Sequence, residues 1–187
     1  MVARRFVLQK KDALNKFRAS VSVGDVDGGI LPLLEKINSL SECYTTSSCG
    51  GRIAVFQDVG LKPEGAFLGK WHRRVKAREV LDCLRPSSGV VWFRYEPPIL
   101  HVACESITAA EKMFKAAFSS GFKRTGLKSF KEGRYLLEVL STERVDAPIM
   151  AHGKKLVSDE YIKFLVKLAN KKIGESEKKI RRFEKKI

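Results

Sequence analysis

The sequence predicts an α+β fold: a single domain over residues 1–187 in which helices flank one mixed β-sheet and a long C-terminal helix covers residues 158–187. A chain of 187 residues with 44% hydrophobic residues can bury one substantial core. Segments typical of strands and of helices are mixed along it without strict alternation or an internal repeat. That mixture favours α+β over an alternating α/β architecture.

The first half of the chain is predicted to begin with two helices. Residues 4–19 place apolar side chains at helical spacing between basic ones, and residues 30–40 resume this pattern after a glycine-rich break. Pro32 is compatible with the second helix because a proline is tolerated in the first helical turn. Three further segments are typical of extended structure: residues 43–47, 52–57 and 69–74.

The second half of the chain combines β-forming runs with helices. Residues 90–95 and 99–104 are typical of strands, and Pro97-Pro98 between them predicts a bend or bulge. Residues 127–130 and 135–140 predict a hairpin. The helices predicted here cover residues 76–84, residues 108–119 with Gly121 as the cap, and the segment from Ser158 onward.

The net charge indicates the kind of partner. Lys and Arg number 36 against 21 Asp and Glu, which gives +15 and favours a polyanion, with nucleic acid as the leading candidate. The sequence has no run of about eighteen apolar residues and no signal-like start. We therefore expect a soluble, cytoplasmic protein with no membrane partner.

The four cysteines indicate neither a disulfide framework nor a zinc site. Cys43, Cys49, Cys83 and Cys104 form no CxxC pair and are scattered through core-like segments. This pattern fits a reducing cytosol, and no metal is expected.

Two clusters interleave basic and aromatic side chains, as RNA contacts often do. One cluster spans residues 122–134. The other consists of Lys70, Trp71, Arg73, Arg74 and Lys76. Residues 154–187 add twelve Lys or Arg against five acids, and this run predicts either an RNA-facing helix or a merely solvated helix face.

A polar segment broken by glycines separates the predicted strands over residues 43–47 and 52–57. Its hydroxyls, thiol, glycines and arginine can bring backbone N–H groups and short donors close to a polar ligand. We therefore treat it as a candidate binding loop, with a simple hairpin whose Ser and Thr satisfy their own turn as the alternative. The candidate ligand contacts are Ser47, Ser48, Cys49, Gly50 and Arg52.

Two further patterns are compatible with chemistry. Cys49 is either a nucleophile or a small apolar residue packed under a turn. Glu96 and His101 place a carboxylate and an imidazole five positions apart, so an uninterrupted strand would put them on opposite faces. A bend at Pro97-Pro98 would reunite them; otherwise they are an ordinary strand-end glutamate and a satisfied histidine.

Four motifs follow one another along the chain. They are TTSSCGGRI at residues 45–53, GKW at residues 69–71, YEPPILHV at residues 95–102 and SGFKRTGL at residues 120–127. Their order and spacing resemble the motifs of the tRNA wybutosine-synthesising protein 3 family, including its archaeal branch. The end of the chain is similar as well, so the resemblance runs from about residue 5 to residue 187.

The resemblance implies an S-adenosylmethionine-dependent methyltransferase. Its substrate would be the tricyclic wyosine base made from the guanosine just 3′ of the anticodon in phenylalanine tRNA, and it would methylate a ring nitrogen. Such a transfer needs an aligned acceptor and, for its proton, a base. Glu96 and His101 are then the candidate catalytic residues. The cofactor contacts would be Ser47, Ser48, Cys49, Gly50 and Arg52, and the RNA contacts Lys70, Trp71, Arg73, Arg74 and Lys76.

The chain departs from the family's motifs at two places. Gly50 stands where the family usually has a second serine, and His72 directly follows Trp71, whereas the family tends to place a Ser-His pair a few residues later. Two other classes of protein stay open. One is a non-catalytic tRNA-binding module, and the other is a thiol-dependent RNA-processing enzyme that would require Cys49.

Overall fold

Nine strands and five helices occur in the described residues, 2–58, 66–86 and 88–187, of the computed structural model. The helices are α1 (Val2–Ser22), α2 (Leu31–Ser39), α3 (Ala77–Asp82), α4 (Ile107–Ser120) and α5 (Asp159–Glu184). The strands are β1 (Cys43–Cys49), β2 (Arg52–Asp58), β3 (Ala66–Trp71), β4 (Val90–Glu96), β5 (Ile99–Cys104), β6 (Gly126–Lys131), β7 (Arg134–Leu140), β8 (Val145–Ala151) and β9 (Lys154–Lys155). The predicted α+β class and the long C-terminal helix are confirmed.

The chain divides into two compact units, each assembled from separate stretches of sequence. The first unit consists of Met1–Gly50, Pro98–Thr142 and Ser176–Ile187, and the second consists of Gly51–Pro97 and Glu143–Glu175. Helix α5 therefore contributes its first part to the second unit and its last part to the first unit. The assignment of residues 1–187 to one domain stays a prediction.

Each unit has its own antiparallel sheet. The strand order is β1-β5-β7-β6 in the first unit and β3-β2-β4-β8-β9 in the second. All pairs of neighbouring strands are antiparallel in the described residues, so the prediction of one mixed sheet is wrong. The reason lies at Pro97-Pro98: neither proline can donate to a ladder, so β4 ends at Glu96 and the chain begins a strand of the other sheet at Ile99.

The sheet of the first unit buries one face in a large apolar core. Side chains from α2, α4 and the end of α5 pack there against β5 and β7, including Leu100 and Val102. Near its start, α1 packs through Phe6 against Tyr44 of β1, and the two ring centroids are 5.2 Å apart. Since successive side chains of a strand alternate between faces, His101 points away from the core that holds Leu100 and Val102.

The sheet of the second unit packs against the first part of α5. Its fully buried side chains include Ile53, Val55, Val91, Phe93 and Ile162. Burial alternates along β4, whereas Ile53, Ala54 and Val55 of β2 are all buried, and both strands agree with the extended segments that the sequence predicts.

Strand β8 is not predicted from the sequence, and Pro148 lies inside it. Pro148 is opposite Trp92, beside a shift of register between Val91 and Trp92. Such an irregularity is where a proline fits into a sheet, since it removes one ladder donor. The sequence pattern alone gives no sign of that shift.

The helix ends agree with the predicted caps. Gly121 ends α4 with φ of 109°, and Pro32 lies in the first turn of α2. The backbone N–H of Tyr161 donates to Ser158 Oγ at 3.2 Å, as expected for the start of α5. In the part of the chain that the structure describes, none of the helices is both long and apolar enough to cross a bilayer.

Candidate functional site

The polar segment around residue 48 is mostly strand and not loop. Strand β1 continues to Cys49, so Ser47 and Ser48 lie on it, and only Gly50 and Gly51 connect it to β2. Strand β1 pairs with β5, whereas β2 pairs with β3 and β4. The hairpin alternative is therefore wrong. Gly51 has φ of 93°, a conformation that glycine adopts at little cost.

A bulge in β1 aligns Ser47 with His101. Thr45 is opposite Val102, and the next paired residue is Ser47, opposite His101, so Thr46 is the extra residue. A bulge changes which side chain meets the neighbouring strand. It brings the Ser47 hydroxyl, exposed on the surface, to 2.8 Å from Nδ1 of His101.

Four side chains form a continuous hydrogen-bonded line across this sheet, which we call the polar row: Ser47, His101, Glu138 and Lys128. His101 Nε2 lies 3.2 Å from Glu138 Oε2, and Lys128 Nζ lies 2.9 Å from Glu138 Oε1. Glu138 is opposite His101 in the β5–β7 ladder, and Lys128 stands at a register shift of β6. Strand register therefore creates this line.

The direction of the hydrogen bonds in the polar row follows from the charge of the Glu138 carboxylate. Burial raises the pKa of its carboxyl, but hydrogen bonds and charge from Lys128 and His101 outweigh this and hold that pKa below its ordinary value. An ionised carboxylate only accepts hydrogen bonds, so Nε2 of His101 is the nitrogen that donates to Glu138. In the tautomer with one ring proton, Nδ1 is then an acceptor to which the Ser47 hydroxyl donates.

The sequence gives no prediction for Glu138, and it places Lys128 in a basic cluster without a role beside His101. Glu138 interrupts the apolar run of β7, between buried Leu137 and Val139, and that pattern is the one signal for a polar residue on the opposite face. Its partners lie in other strands and depend on register. A single sequence does not reveal register across bulges.

The amide of Gly50 is already engaged. Its N–H donates to Asp27 Oδ2 at 2.7 Å, and a Cβ at this position would lie 3.2 Å from the same oxygen. Asp27 belongs to the glycine-rich segment between α1 and α2. This hydrogen bond ties the end of β1 to that segment.

In the second unit, Arg52 and Glu96 form an ion pair. They are opposite each other in the β2–β4 ladder, and Arg52 Nε lies 2.5 Å from Glu96 Oε2. Both side chains are about a quarter exposed, at 28% and 27%. The Arg52 guanidinium also lies 5.0 Å from the centre of the Phe67 ring. Glu96 thus pairs with Arg52 in the second unit, whereas His101 contacts Ser47 and Glu138 in the first unit.

The predicted RNA contacts of residues 70–76 differ in how their charge is compensated. Lys70 is exposed, with its ammonium 5.6 Å from the Phe67 ring. Arg73 Nη2 lies 2.6 Å from Glu79 Oε1, and the backbone N–H of Lys76 donates to the other oxygen of Glu79. The hydrogen bonds from Arg73 and then Lys76 lower the pKa of Glu79 to about 2. Glu79 therefore anchors Arg73 and the start of α3.

Trp71 and Arg74 lie against other parts of the second unit. Trp71 is half-buried and packs on the core of that unit. A Cβ on Gly69 would be 2.3 Å from the Trp71 ring, so only glycine fits there. The Arg74 guanidinium lies against Gly174 of α5, 3.0 Å from the position that a Cβ would occupy.

Comparison with protein families gives a match over most of the chain. The family model described as methyltransferase TYW3 matches residues 8–187. A relative from Thermococcus sibiricus, named tRNA(Phe) 7-((3-amino-3-carboxypropyl)-4-demethylwyosine(37)-N(4))-methyltransferase, is 40% identical over 98% of this chain and 95% of its own length. A relative of the same name from Methanocaldococcus jannaschii is 37% identical over 90% of this chain and 89% of its own length.

Solved structures share the fold. A protein from Pyrococcus horikoshii superposes with a TM-score of 0.93 at 37% identity, covering 100% of this chain and 98% of that one. A protein from Aeropyrum pernix gives a TM-score of 0.75 at 30% identity, covering 85% of this chain and 95% of that one.

Proposed function

The chain belongs to the methyltransferase TYW3 family, and we propose that it methylates a ring nitrogen of a wyosine-type base in phenylalanine-specific tRNA. The observation that carries this proposal is 40% identity, over 98% of the chain, to a relative named for that reaction. By that name the substrate is the position-37 base that bears a 3-amino-3-carboxypropyl group and lacks its 4-methyl group, and N4 receives the methyl group.

The proposed methyl donor is S-adenosylmethionine, which when bound supplies an electrophilic methyl group on a sulfonium sulfur. The Arg52–Glu96 pair of the second unit suits the polar groups of S-adenosylmethionine. The Arg52 guanidinium matches a carboxylate, and the Glu96 carboxylate matches an ammonium or ribose hydroxyls. Both side chains are partly exposed, so a ligand can reach them.

In the first unit, four residues at the end of β1 are also proposed to contact the methyl donor: Ser47, Ser48, Cys49 and Gly50. The two serine hydroxyls are exposed and each can donate and accept. Gly50 contributes through its carbonyl or its small size, because its N–H already donates to Asp27. This assignment is independent of the one for Arg52.

His101 is the proposed base for the proton that the ring nitrogen releases. Ser47 Oγ faces solvent and donates to Nδ1 of His101. Ser47 Oγ can therefore accept the proton from the ring nitrogen while its own hydroxyl proton moves to Nδ1 of His101. Glu138 accepts from Nε2 and stabilises the imidazolium that results, so it acts as a positioning residue. Glu96 stays a second candidate base.

For RNA, the proposed contacts are Lys70, Trp71, Arg73, Arg74 and Lys76. Among the described residues, Lys70 and Lys76 have no ion pair, so their charge is open to a phosphate. Arg73 shares its charge with Glu79 and should contribute less. The proposal places the protein in the cytoplasm and uses no metal; both points stay predictions.

A calorimetric titration of the purified protein with S-adenosylmethionine tests the enzyme proposal against a non-catalytic tRNA-binding module. We expect saturable binding. The module predicts salt-sensitive tRNA binding with no affinity for S-adenosylmethionine. For the thiol-dependent alternative, loss of all turnover in a folded Cys49→Ala variant would favour covalent chemistry, whereas we expect that variant to keep most of its activity.

A further inference from the structure

A small cavity lies in the first unit, beside the tip of the β6–β7 hairpin. Its volume is about 120 Å³. Arg5 and Gln9, one helical turn apart on α1, line it from one side. Lys131, Glu132, Gly133 and Arg134 of the hairpin line it from the other side. None of these residues belongs to the polar row.

The charge in this cavity is positive and poorly compensated. Arg5, Lys131 and Arg134 face one carboxylate, that of Glu132. Arg5 and Lys131 are exposed, and neither has an ion pair within the described ranges. Lys131 and Arg134 are directly opposite each other in the ladder, and like charges in that position destabilise a hairpin. A bound anion would offset this repulsion.

Arg134 is held in place without losing its charge. Its Nε donates to the hydroxyl of Tyr44 at 3.2 Å, and Tyr44 is buried. A neutral hydroxyl fixes the guanidinium but does not neutralise it. The rest of the planar guanidinium fork is therefore preorganised for an oxyanion.

Gln9 supplies a second signal. Its Oε1 is buried and has no hydrogen-bond partner among the described residues. The two ends of a glutamine amide are chosen by their hydrogen bonds, so a flip places the NH₂ group at that position. Gln9 lines the cavity, so its amide NH₂ group can serve as a neutral donor to an anion there.

We infer that this cavity binds one phosphate of the tRNA backbone, an inference that rests on the proposed function. A cavity of about 120 Å³ is smaller than the roughly 300–1,000 Å³ of pockets that enclose whole drug-sized ligands. It suits a phosphate group and excludes a nucleoside. The chain's net charge of +15 and the tRNA substrates of its named relatives favour a phosphodiester over a free phosphate compound.

The test compares two double variants of the full chain by the salt dependence of tRNA binding. Arg5→Ala/Lys131→Ala removes two exposed cations of the cavity. Lys11→Ala/Lys16→Ala removes two exposed cations of α1 outside it. Arg134 is left in place because Tyr44 would lose its partner.

The cavity variant should flatten the slope of log affinity against log salt by about 0.7–0.9, the value for one phosphate contact. When the salt concentration rises fourfold, the cavity variant should therefore lose roughly threefold less tRNA affinity than the wild type loses. The control variant should keep the wild-type slope. An unchanged slope in the cavity variant, or an equal flattening in the control, overturns the inference.

A titration with inorganic phosphate, followed by the NMR signal of the Arg134 Nε–H, checks the site without RNA. The signal should shift saturably in the wild type and not in the cavity variant. No shift in the wild type overturns the site. A phosphate shift without any change of salt slope assigns the cavity to a free phosphate compound and overturns the tRNA assignment.

The two proposals fail separately. If the wild type transfers no methyl group but its tRNA affinity depends on the cavity, the proposed function fails and the phosphate site stands. If the cavity variant transfers methyl groups with unchanged kcat and unchanged KM for tRNA, the phosphate site fails and the proposed function stands.

Discussion

The polar row of the first unit and the Arg52–Glu96 pair of the second unit use strand register in the same way but hold different chemistry. In the polar row, an imidazole has both nitrogens in hydrogen bonds, one to a hydroxyl and one to a carboxylate. In the pair, a guanidinium that cannot lose its proton meets a carboxylate at 2.5 Å. The first arrangement can accept and hold a proton, whereas the second presents fixed charge. The difference suggests a division of labour between proton transfer and ligand binding.

The largest expected effect is on turnover, from His101→Ala. We expect methyl transfer to slow by about 10²–10⁴-fold, the usual contribution of a general base. Affinity for S-adenosylmethionine should stay near the wild-type value, because the charged pair of the second unit is untouched. Single-turnover kinetics and calorimetry measure the two quantities separately.

Thr46→Ala is the matched control for His101→Ala. Thr46 is the extra residue of the β1 bulge, and its hydroxyl donates to the backbone carbonyl of His101 at 3.4 Å and not to the imidazole. It should leave turnover unchanged. Normal turnover in a folded His101→Ala variant would contradict the role of the row and move attention to Glu96 as the base.

Arg52→Ala should chiefly weaken binding of the methyl donor. Loss of a hydrogen bond to a charged group costs about 1.5–3 kcal/mol, which corresponds to roughly 10- to 150-fold in affinity. Calorimetry with S-adenosylmethionine measures it. Arg78→Ala is the control, since Arg78 pairs with Asp82 in the same unit and is not among the proposed contacts of the methyl donor. Equal losses in both variants would mean that the unit has been destabilised in general.

Glu138→Gln should alter stability in a pH-dependent way. The pKa of Glu138 is lowered in the folded state, so its contribution is present above the unfolded value of about 4.3 and is lost as the pH falls through the lower folded value. At pH 7 the variant should be less stable by about 1 kcal/mol, the scale of a partly exposed ion pair. Urea unfolding at several pH values measures this difference.

The difference in the free energy of unfolding between wild type and Glu138→Gln should shrink below about pH 4.3. The other carboxylates are common to both proteins, so they cancel in this difference. A difference that stays constant from neutral to acid pH would show that the Glu138 charge does not stabilise the row.

The smallest expected effect separates free from paired cations in the second unit. Lys70→Ala should flatten the salt slope of tRNA binding by about 0.7–0.9 if Lys70 neutralises one phosphate. Arg73→Ala should flatten it less, because Glu79 already compensates that charge. Filter binding over a range of salt concentrations measures both. A larger effect from Arg73 would mean that tRNA displaces Glu79 from the ion pair.

Local structure could be predicted from the sequence, and pairing could not. Helical spacing of apolar residues predicts α1, α2, α4 and α5, because one face of each is buried. The two sheets depend on which strands pair, and β8 contains Pro148, which argues against a strand. Residue types and spacing predict β1 and β2, but not that they belong to different sheets.

In the candidate site, too, residue types could be predicted from the sequence, whereas the contacts between them could not. Ser47, Arg52, Glu96 and His101 are found from motifs, since their residue types suit the chemistry. Their partners come from register: the β1 bulge sets Ser47 beside His101, and the β5–β7 ladder sets Glu138 there. Charge density marks residues 70–76 as basic, but only the folded chain pairs Arg73 with Glu79. Bulges and ion pairs between distant residues have no local signal.

The most direct test of the proposed function is transfer of a labelled methyl group to two versions of phenylalanine tRNA. One version carries the 3-amino-3-carboxypropyl demethylwyosine base at position 37, and the other is the same RNA without that modification. We predict label in the first RNA, located in the position-37 nucleoside after digestion, and none in the second. Equal labelling of both RNAs, or of neither, would contradict the assignment of this chain as a methyltransferase of the wyosine-type base.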